Sequence, residues 1–309
     1  MRAVFLGTPE FAVPSLRALA ARHNVVAVFT QPDRPKGRGN QLAESPVKLA
    51  AHELGIVVNQ PERVRRPESF ELLKSLAAEI MVVVGYGQII PQSIIDLPEH
   101  GILNVHASLL PKYRGAAPIQ WAIAHGETET GVTIMQIDAG LDTGDMLRKA
   151  PLCIEPDETA PELSARLAPL GAKLLMDTIA SIEASLARPE KQNEAEATLA
   201  PILKKEDGLI RWERTAAEIY NRFRGLNPWP GAYTTFRGQQ LSIMDARPGD
   251  RTGLKGGQCA VHNKKLVAGC GANTSLELRE VQLAGKKRMT GEAFLNGYKL
   301  APDETLGAA

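Results

Sequence analysis

The first two hundred positions alternate short apolar runs with segments in which apolar residues recur every three or four positions. The apolar runs predict buried strands over 2–7, 25–30, 56–60, 80–86, 101–106 and 131–138. The periodic segments predict helices over 11–22, 69–78 and about 159–186, and a further helix that starts after Ser45 and ends at Gly55. Strands alternating with helices predict an α/β fold with a Rossmann-like, mainly parallel sheet covered by helices.

A second pattern begins after a polar, aperiodic stretch at 187–203. One helix is predicted over 215–224, and short alternating strands separated by glycines over 233–237, 240–245, 258–262, 265–267 and 275–283. These predict a small, OB-like β-barrel domain. We therefore expect a catalytic domain over 1–188, a linker over 189–203 and a C-terminal β-barrel domain over 204–309.

The charged residues are distributed unevenly between the two predicted domains. The 309 residues carry a net charge of +1, but residues 1–200 carry 19 Lys and Arg against 24 Asp and Glu. Residues 201–309 carry 17 against 11, a net of +6. A basic half indicates a polyanionic partner, and the same pattern also fits a surface charged for solubility.

Several functional classes are disfavoured by the sequence. Gly7-Thr8-Pro9 follows the first strand but lacks the G-x-G-x-x-G of dinucleotide-binding turns. Cys153, Cys259 and Cys270 have no CxxC spacing, which argues against a zinc site or a disulfide framework. We expect no metal cofactor. Because no apolar run could span a membrane and no signal peptide is evident, we expect a cytoplasmic protein without a membrane partner.

The most informative residues are three polar ones. Asn104 and His106 fall two apart at the end of a predicted buried strand, and Asp142 lies in the segment after the next strand. Open α/β sheets keep their active sites at the carboxyl ends of strands. An amide donor, an imidazole and a carboxylate suit acyl transfer to an amine. Taken singly, each could instead be a capping or turn residue.

Two further segments follow strand ends, where backbone groups can hold the edge of a flat heterocycle. The first contains Gly87, Gln88, Ile89 and Ile90, and the second contains Ser108, Leu109, Leu110 and Pro111. A long loop over 31–40 carries the cations Arg34, Lys36 and Arg38. A loop of this length between a strand and a helix is usually functional or disordered.

Taken together, these segments resemble the methionyl-tRNA formyltransferase family. The resemblance rests on Asn-Val-His-Ala-Ser-Leu-Leu-Pro at 104–111 and on Gly-Leu-Asp-Thr-Gly-Asp at 140–145. It extends over the 29–39, 114–120 and 129–135 segments, and over Asn-Pro-Trp-Pro at 227–230 and Gly-Lys-Lys at 285–287. The first motif marks the wider group of 10-formyltetrahydrofolate enzymes, whereas the basic loop and the second domain narrow the resemblance to the tRNA enzymes.

The resemblance implies an activity and roles for these residues. Asn104, His106 and Asp142 would form a catalytic trio that transfers the formyl group of 10-formyltetrahydrofolate, the co-substrate, to the amino group of initiator methionyl-tRNA. The residues of the two strand-end segments would line the folate pocket. Arg34, Lys36 and Arg38 would contact the tRNA, as would the basic cluster Lys286, Lys287 and Arg288 in the second domain. We expect a monomer.

Two other hypotheses remain open from the sequence. A formyltransferase acting on a small amino-sugar or ribonucleotide amine, or a hydrolase of the folate, would share the chemistry without requiring the basic loop. A non-catalytic RNA-binding protein on a retained enzyme fold would be expected to have lost part of the trio, which is complete here.

Overall fold

A computed structural model describes residues 1–36 and 41–307. The chain forms two compact units, each assembled from three stretches of sequence. The first unit comprises Met1–Ile119, Glu129–Cys153 and Glu162–Ile202, and the second comprises Gln120–Thr128, Ile154–Pro161 and Leu203–Ala309. The stretch predicted as a linker thus belongs to the first unit as far as Ile202.

The strands and helices follow the chain in this order. The strands are β1 (Arg2–Gly7), β2 (Asn24–Phe29), β3 (Arg34–Lys36), β4 (Gln41–Ala43), β5 (Val58–Asn59), β6 (Ile80–Val84), β7 (Ile102–His106), β8 (Glu129–Gln136), β9 (Met146–Cys153), β10 (Ala232–Phe236), β11 (Gln239–Gly249), β12 (Cys259–His262), β13 (Lys265–Cys270), β14 (Thr274–Leu283) and β15 (Met289–Thr290). The helices are α1 (Val13–Arg22), α2 (Pro46–Glu53), α3 (Pro67–Ser75), α4 (Gln92–Ile95), α5 (Pro118–Ala124), α6 (Ala160–Glu183), α7 (Ala216–Gly225) and α8 (Gly291–Gly297).

The first unit is built on a seven-stranded sheet with the order β5-β2-β1-β6-β7-β8-β9. The strands from β5 to β7 run parallel, whereas β8 is antiparallel to β7 and β9 is antiparallel to β8. Every residue of β6 is buried, as expected for a central strand covered on both faces. The predicted Rossmann-like, mainly parallel sheet is confirmed.

Several local predictions differ from the structure. The strand predicted over 56–60 shortens to Val58–Asn59. The loop predicted over 31–40 contains β3, which pairs antiparallel with β4 just after the loop. Strand β9 was not predicted, because it lies at the sheet edge and most of its residues are partly or fully exposed. The predicted cap at Ser45 is confirmed, since its side chain accepts a hydrogen bond from Lys48 N at 3.1 Å.

The second unit contains an antiparallel sheet with the order β10-β11-β14-β13-β12, and β15 pairs with β14. Alternate residues of β10 are buried, so that one face of the strand packs on the core. Phe236 on β10 and Phe294 on α8 are among the largest buried side chains, with ring centroids 5.0 Å apart. The prediction of a mostly β second domain is confirmed, and its paired strands are antiparallel.

Neither a metal-binding cluster nor a membrane-spanning helix occurs in the part of the chain that the structure describes. Within 1–36 and 41–307, no group of three or more His, Cys, Asp and Glu is arranged to hold a metal ion. Over the same residues, no helix combines the length and the apolar character needed to cross a membrane.

Candidate active site

The three predicted catalytic residues meet beside β7. Asn104 and His106 lie two residues apart on this strand, so their side chains leave the same face of the sheet. Asp142 belongs to the loop between β8 and β9 and has a left-handed backbone with φ of +52°. The main chain of the nearby Gly144 passes so close to Gln136 O that a Cβ at this position would collide with it.

The Asp142 carboxylate is the centre of this group. Its Oδ1 accepts a hydrogen bond from Asn104 Nδ2 at 3.1 Å, and its Oδ2 accepts one from Gly115 N at 2.9 Å. Oδ2 also lies 3.6 Å from His106 Nδ1. We call Asn104, His106 and Asp142 the trio. The structure thus brings together the residues that the sequence singled out.

The imidazole of His106 is held from its other side. Its Nε2 lies 2.9 Å from Tyr113 O, and because a carbonyl oxygen only accepts, Nε2 carries the proton of this hydrogen bond. Nδ1 is consequently the ring nitrogen that faces Asp142. The side chains of His106 and Asp142 are only 5% and 16% exposed, so electrostatic interactions at this point are screened less than they would be in water.

The second strand-end segment is anchored through Thr133 on β8. The Thr133 hydroxyl donates to Ser108 O at 2.7 Å and accepts from Leu110 N at 3.1 Å. Ser108 Oγ donates to Lys112 O at 2.6 Å. Ser108, Leu110 and Pro111 are buried, whereas Leu109 is half-buried. These contacts give the segment a defined path beside the trio.

The first strand-end segment is arranged differently. Gly87 adopts a positive φ of +80°, and Gln88 receives a hydrogen bond from Val64 N at 2.6 Å and donates one to Pro61 O at 3.1 Å. The Gln88 side chain therefore ties the 61–64 loop to this segment. Ile90 is buried, but Ile89 is 88% exposed and presents an apolar surface.

The predicted tRNA-contacting residues lie in two places. Arg34 is exposed at the start of β3, Lys36 ends the same strand, and Arg38 lies outside the described residues. In the second unit, Lys286, Lys287 and Arg288 are exposed in the turn between β14 and β15. Arg288 forms an ion pair with Glu280, which partly neutralises the cluster.

Two residues that support the trio were not predicted as site residues. Gln192 donates hydrogen bonds to Asp142 O and Gly144 O, both at 2.8 Å. Arg114, which the sequence offered only as part of a family motif, donates to Gln192 Oε1. Gln192 lies in the aperiodic stretch predicted as a linker, and nothing local in that stretch indicates its partners.

A mainly parallel sheet bearing an amide, an imidazole and a carboxylate beside β7 is the arrangement of a formyltransferase. Residues 1–179 match the family described as Formyl transferase, and residues 202–299 match the family described as Formyl transferase, C-terminal domain. A methionyl-tRNA formyltransferase of Solibacter usitatus (strain Ellin6076) is 58% identical over 308 residues, covering 99% of each chain. One of Koribacter versatilis (strain Ellin345) is 56% identical over 306 residues, covering 98% of each. The chain belongs to the methionyl-tRNA formyltransferase family, as the sequence motifs predicted.

A solved structure shares the fold at much lower identity. It is the N-formyltransferase from Helicobacter canadensis in complex with folinic acid and dTDP-3-aminofucose, with a TM-score of 0.66 and 19% identity. The match covers 89% of this chain and 98% of that one. At this identity the likeness shows the fold alone.

Proposed function

We propose that this enzyme transfers the formyl group of 10-formyltetrahydrofolate to the amino group of methionine on initiator tRNA, and that the trio carries out the transfer. The observation that carries the proposal is the Asp142 carboxylate, bonded to Asn104 and Gly115 and facing His106. Membership of the methionyl-tRNA formyltransferase family supports the choice of substrates.

The reaction forms one C–N bond and breaks another. The methionine nitrogen attacks the formyl carbon, and the resulting tetrahedral intermediate carries negative charge on the formyl oxygen. Collapse of this intermediate breaks the bond between the formyl carbon and N10 of the folate. The attacking nitrogen loses a proton and N10 gains one, so the overall reaction is balanced without a further reactant.

Each member of the trio has a distinct part. The Asn104 amide has two N–H groups, one held by Asp142, and we assign the other to the formyl oxygen. We place the His106 imidazole next to the same oxygen. Asp142 orients both side chains, and it accepts the proton of the attacking amine through a water molecule.

We assign both substrates to the regions that the sequence indicated. We place the folate against the segments that contain Gly87 to Ile90 and Ser108 to Pro111, where exposed Ile89 and half-buried Leu109 offer apolar contact. The H. canadensis enzyme of similar fold was crystallised with folinic acid, which supports a folate site. We assign Arg34, Lys36, Arg38, Lys286, Lys287 and Arg288 to the tRNA.

We further infer a monomer that acts in the cytoplasm, where initiator tRNA is charged. The proposed chemistry requires no metal, because hydrogen-bond donors supply the charge stabilisation.

A direct assay tests this proposal. The protein is incubated with 10-formyltetrahydrofolate and methionine-charged initiator tRNA, and N-formylmethionine is measured after the tRNA ester is hydrolysed. A parallel reaction contains a dTDP-amino sugar in place of the tRNA. We expect formylation of the tRNA only. Transfer to the sugar alone would favour the small-amine hypothesis, and transfer to neither acceptor would contradict the proposed activity.

A further inference from the structure

The segment over 190–200 connects the parts of the chain that carry the trio. At one end, Glu190 and Met146 of β9 exchange two main-chain hydrogen bonds of 2.8 Å. At the other end, Arg114 N donates to Thr198 O at 2.8 Å, and Ala200 N donates to Arg114 O at 2.7 Å. We call the 190–200 segment the strap. It is bonded both to the strand that follows Asp142 and to the loop that supplies Gly115.

Between these two ends, the Gln192 side chain links the two loops directly. Its Nε2 donates to Asp142 O and to Gly144 O, both at 2.8 Å. Its Oε1 accepts from Arg114 Nε at 3.0 Å and from Arg114 Nη2 at 2.8 Å. Since carbonyls only accept and a guanidinium only donates, these partners allow one orientation of the amide.

Arg114 is a rigid support for this amide. Its side chain is only 6% exposed, and the Glu194 carboxylate receives hydrogen bonds from Nη1 at 2.9 Å and from Nη2 at 2.8 Å. Glu194 raises the pKa of Arg114, so the guanidinium stays charged. A planar guanidinium held by fork-like hydrogen bonds has little freedom to rotate.

The backbone of Asp142 has an unusual conformation, with φ of +52° in the left-handed region that few residues other than glycine, Asn and Asp adopt. In this conformation the carboxylate reaches Asn104, Gly115 and His106. Gln192 holds the carbonyl of Asp142 itself and that of Gly144, two residues further on.

We propose that Gln192, held by Arg114, is a positioning residue that keeps the Asp142 carboxylate aimed at Asn104 and His106. The inference rests on the proposed function, because it concerns the precision with which the trio performs formyl transfer. Gln192 acts through main-chain atoms of Asp142, so any residue that cannot donate two hydrogen bonds there would fail to replace it.

Kinetics of three variants test the proposal in the full chain. Gln192→Ala removes the link, and Gln192→Glu keeps acceptors for Arg114 but places a carboxylate oxygen against the two carbonyls. Misplacement of a catalytic group by 1 Å can cost about 10²-fold in rate, so we expect kcat to fall by up to this factor in both variants. KM for 10-formyltetrahydrofolate should stay close to that of the unaltered protein. Asn193→Ala removes only local hydrogen bonds, one from Ala195 N and one to Glu196 Oε1, so it serves as the control and should keep full turnover.

A double-mutant cycle separates positioning from a general structural effect. If Gln192 acts through Asp142, Gln192→Ala should cause no further loss of single-turnover rate in an Asp142→Ala background. An equal loss in both backgrounds would overturn the proposal, as would normal kcat in Gln192→Ala and Gln192→Glu.

A third measurement does not depend on activity. Amide hydrogen exchange of the 138–145 loop, followed by mass spectrometry on the full chain, should be faster in Gln192→Ala than in Asn193→Ala. Unchanged exchange in that loop would overturn the positioning role even in an active enzyme. Failure of the unaltered protein to formylate tRNA would instead count against the proposed function, and the exchange result would still decide the role of Gln192.

Discussion

Two of the three polar side chains of the trio are bound on more than one side. Asp142 is held by Asn104 and Gly115, and His106 lies between Tyr113 O and the Asp142 carboxylate. Polar groups in a site of low exposure are costly when unpaired, and when paired they hold a single geometry. The site is thereby organised before substrate arrives, which is the condition for electrostatic stabilisation of a developing oxyanion.

At this scale we predict that Asn104→Ala removes the main donor to the formyl oxygen. Loss of one such donor typically lowers kcat by about 10²–10³, and we expect a loss of that order in steady-state formylation of charged initiator tRNA. The thermal unfolding followed by circular dichroism should change little. Asn24→Ala, at an exposed position at the start of β2, is the control and should leave kcat unaltered. Near-normal turnover in Asn104→Ala would remove Asn104 from the proposed mechanism.

Among the elements, α7 in the second unit begins with a complete capping box. Thr215 Oγ1 accepts from Glu218 N at 3.2 Å, and Glu218 Oε2 accepts from Thr215 N at 2.8 Å. Hydrogen bonds from the Thr215 hydroxyl and main chain lower the pKa of Glu218. Its contribution to stability is therefore present above the ordinary Glu pKa and is lost as the pH falls through the lowered value.

We predict that Thr215→Ala lowers the free energy of unfolding by about 1 kcal/mol at neutral pH. The difference in free energy of unfolding between this variant and the unaltered protein should shrink in acid, because protonated Glu218 accepts weaker hydrogen bonds from Thr215. Urea unfolding monitored at several pH values measures both effects. Thr252→Ala, at an exposed loop position between β11 and β12, should be neutral throughout. A difference independent of pH would mean that Glu218 contributes nothing to the cap.

The loop after β7 makes a close approach to the strap at Gly115. Gly115 has φ of +122°, and a Cβ there would lie 2.7 Å from Ala200 O, a main-chain atom. Gly55, in the same unit, has φ of +70°, and a Cβ added to it would meet no atom within 4 Å. Both glycines have a positive φ, but only at Gly115 would an added Cβ also collide with a main-chain atom.

We predict that Gly115→Ala destabilises the first unit and lowers formyl transfer, because the strap and the Gly115 N–H to Asp142 cannot both stay in place. Gly55→Ala should cost only the strain of a positive φ, roughly 1–2 kcal/mol, and should keep full turnover. Thermal unfolding and single-turnover rates of both variants provide the comparison. Equal losses of stability and rate in the two variants would show that the main chain around Ala200 moves aside without cost.

For the whole molecule, the uneven distribution of charge has a measurable consequence. The residues from 201 onward carry a net charge of +6, and Lys286 and Lys287 stand exposed in the turn after β14. Arg288 is paired with Glu280, so we expect it to contribute less than the two lysines to the binding of an anionic partner. Contacts with phosphate release counterions and make binding sensitive to salt.

We predict that Lys287→Ala weakens binding of initiator tRNA and reduces the slope of log K against log salt concentration by about one. Lys286→Ala should act similarly, whereas Lys74→Ala, on α3 of the first unit, should leave the slope unaltered. Filter binding or fluorescence anisotropy over a salt series gives the slopes. If neither lysine changes the slope, the 286–288 turn does not contact the tRNA.

The sequence by itself determined the family, the order of most strands and the position of the trio. It could do so because these features are local: buried strands are continuous apolar runs, and Asn104 and His106 lie two apart on one of them. Strand β9 could not be predicted in this way, because an exposed edge strand has no continuous apolar run. It is held in place by main-chain pairing with β8.

Only the tertiary structure decided what the polar stretch after α6 does. Its composition is that of a linker, yet Gln192 binds main-chain atoms of Asp142 and Gly144, and Glu190 pairs with Met146. These partners are more than forty residues away along the chain, and they all take part through backbone atoms, so the residue types of the partners do not reveal the contacts. The residues of the trio could therefore be predicted from the local sequence pattern. The hydrogen bonds that orient the Asp142 carboxylate depend instead on how distant segments of the chain pack together.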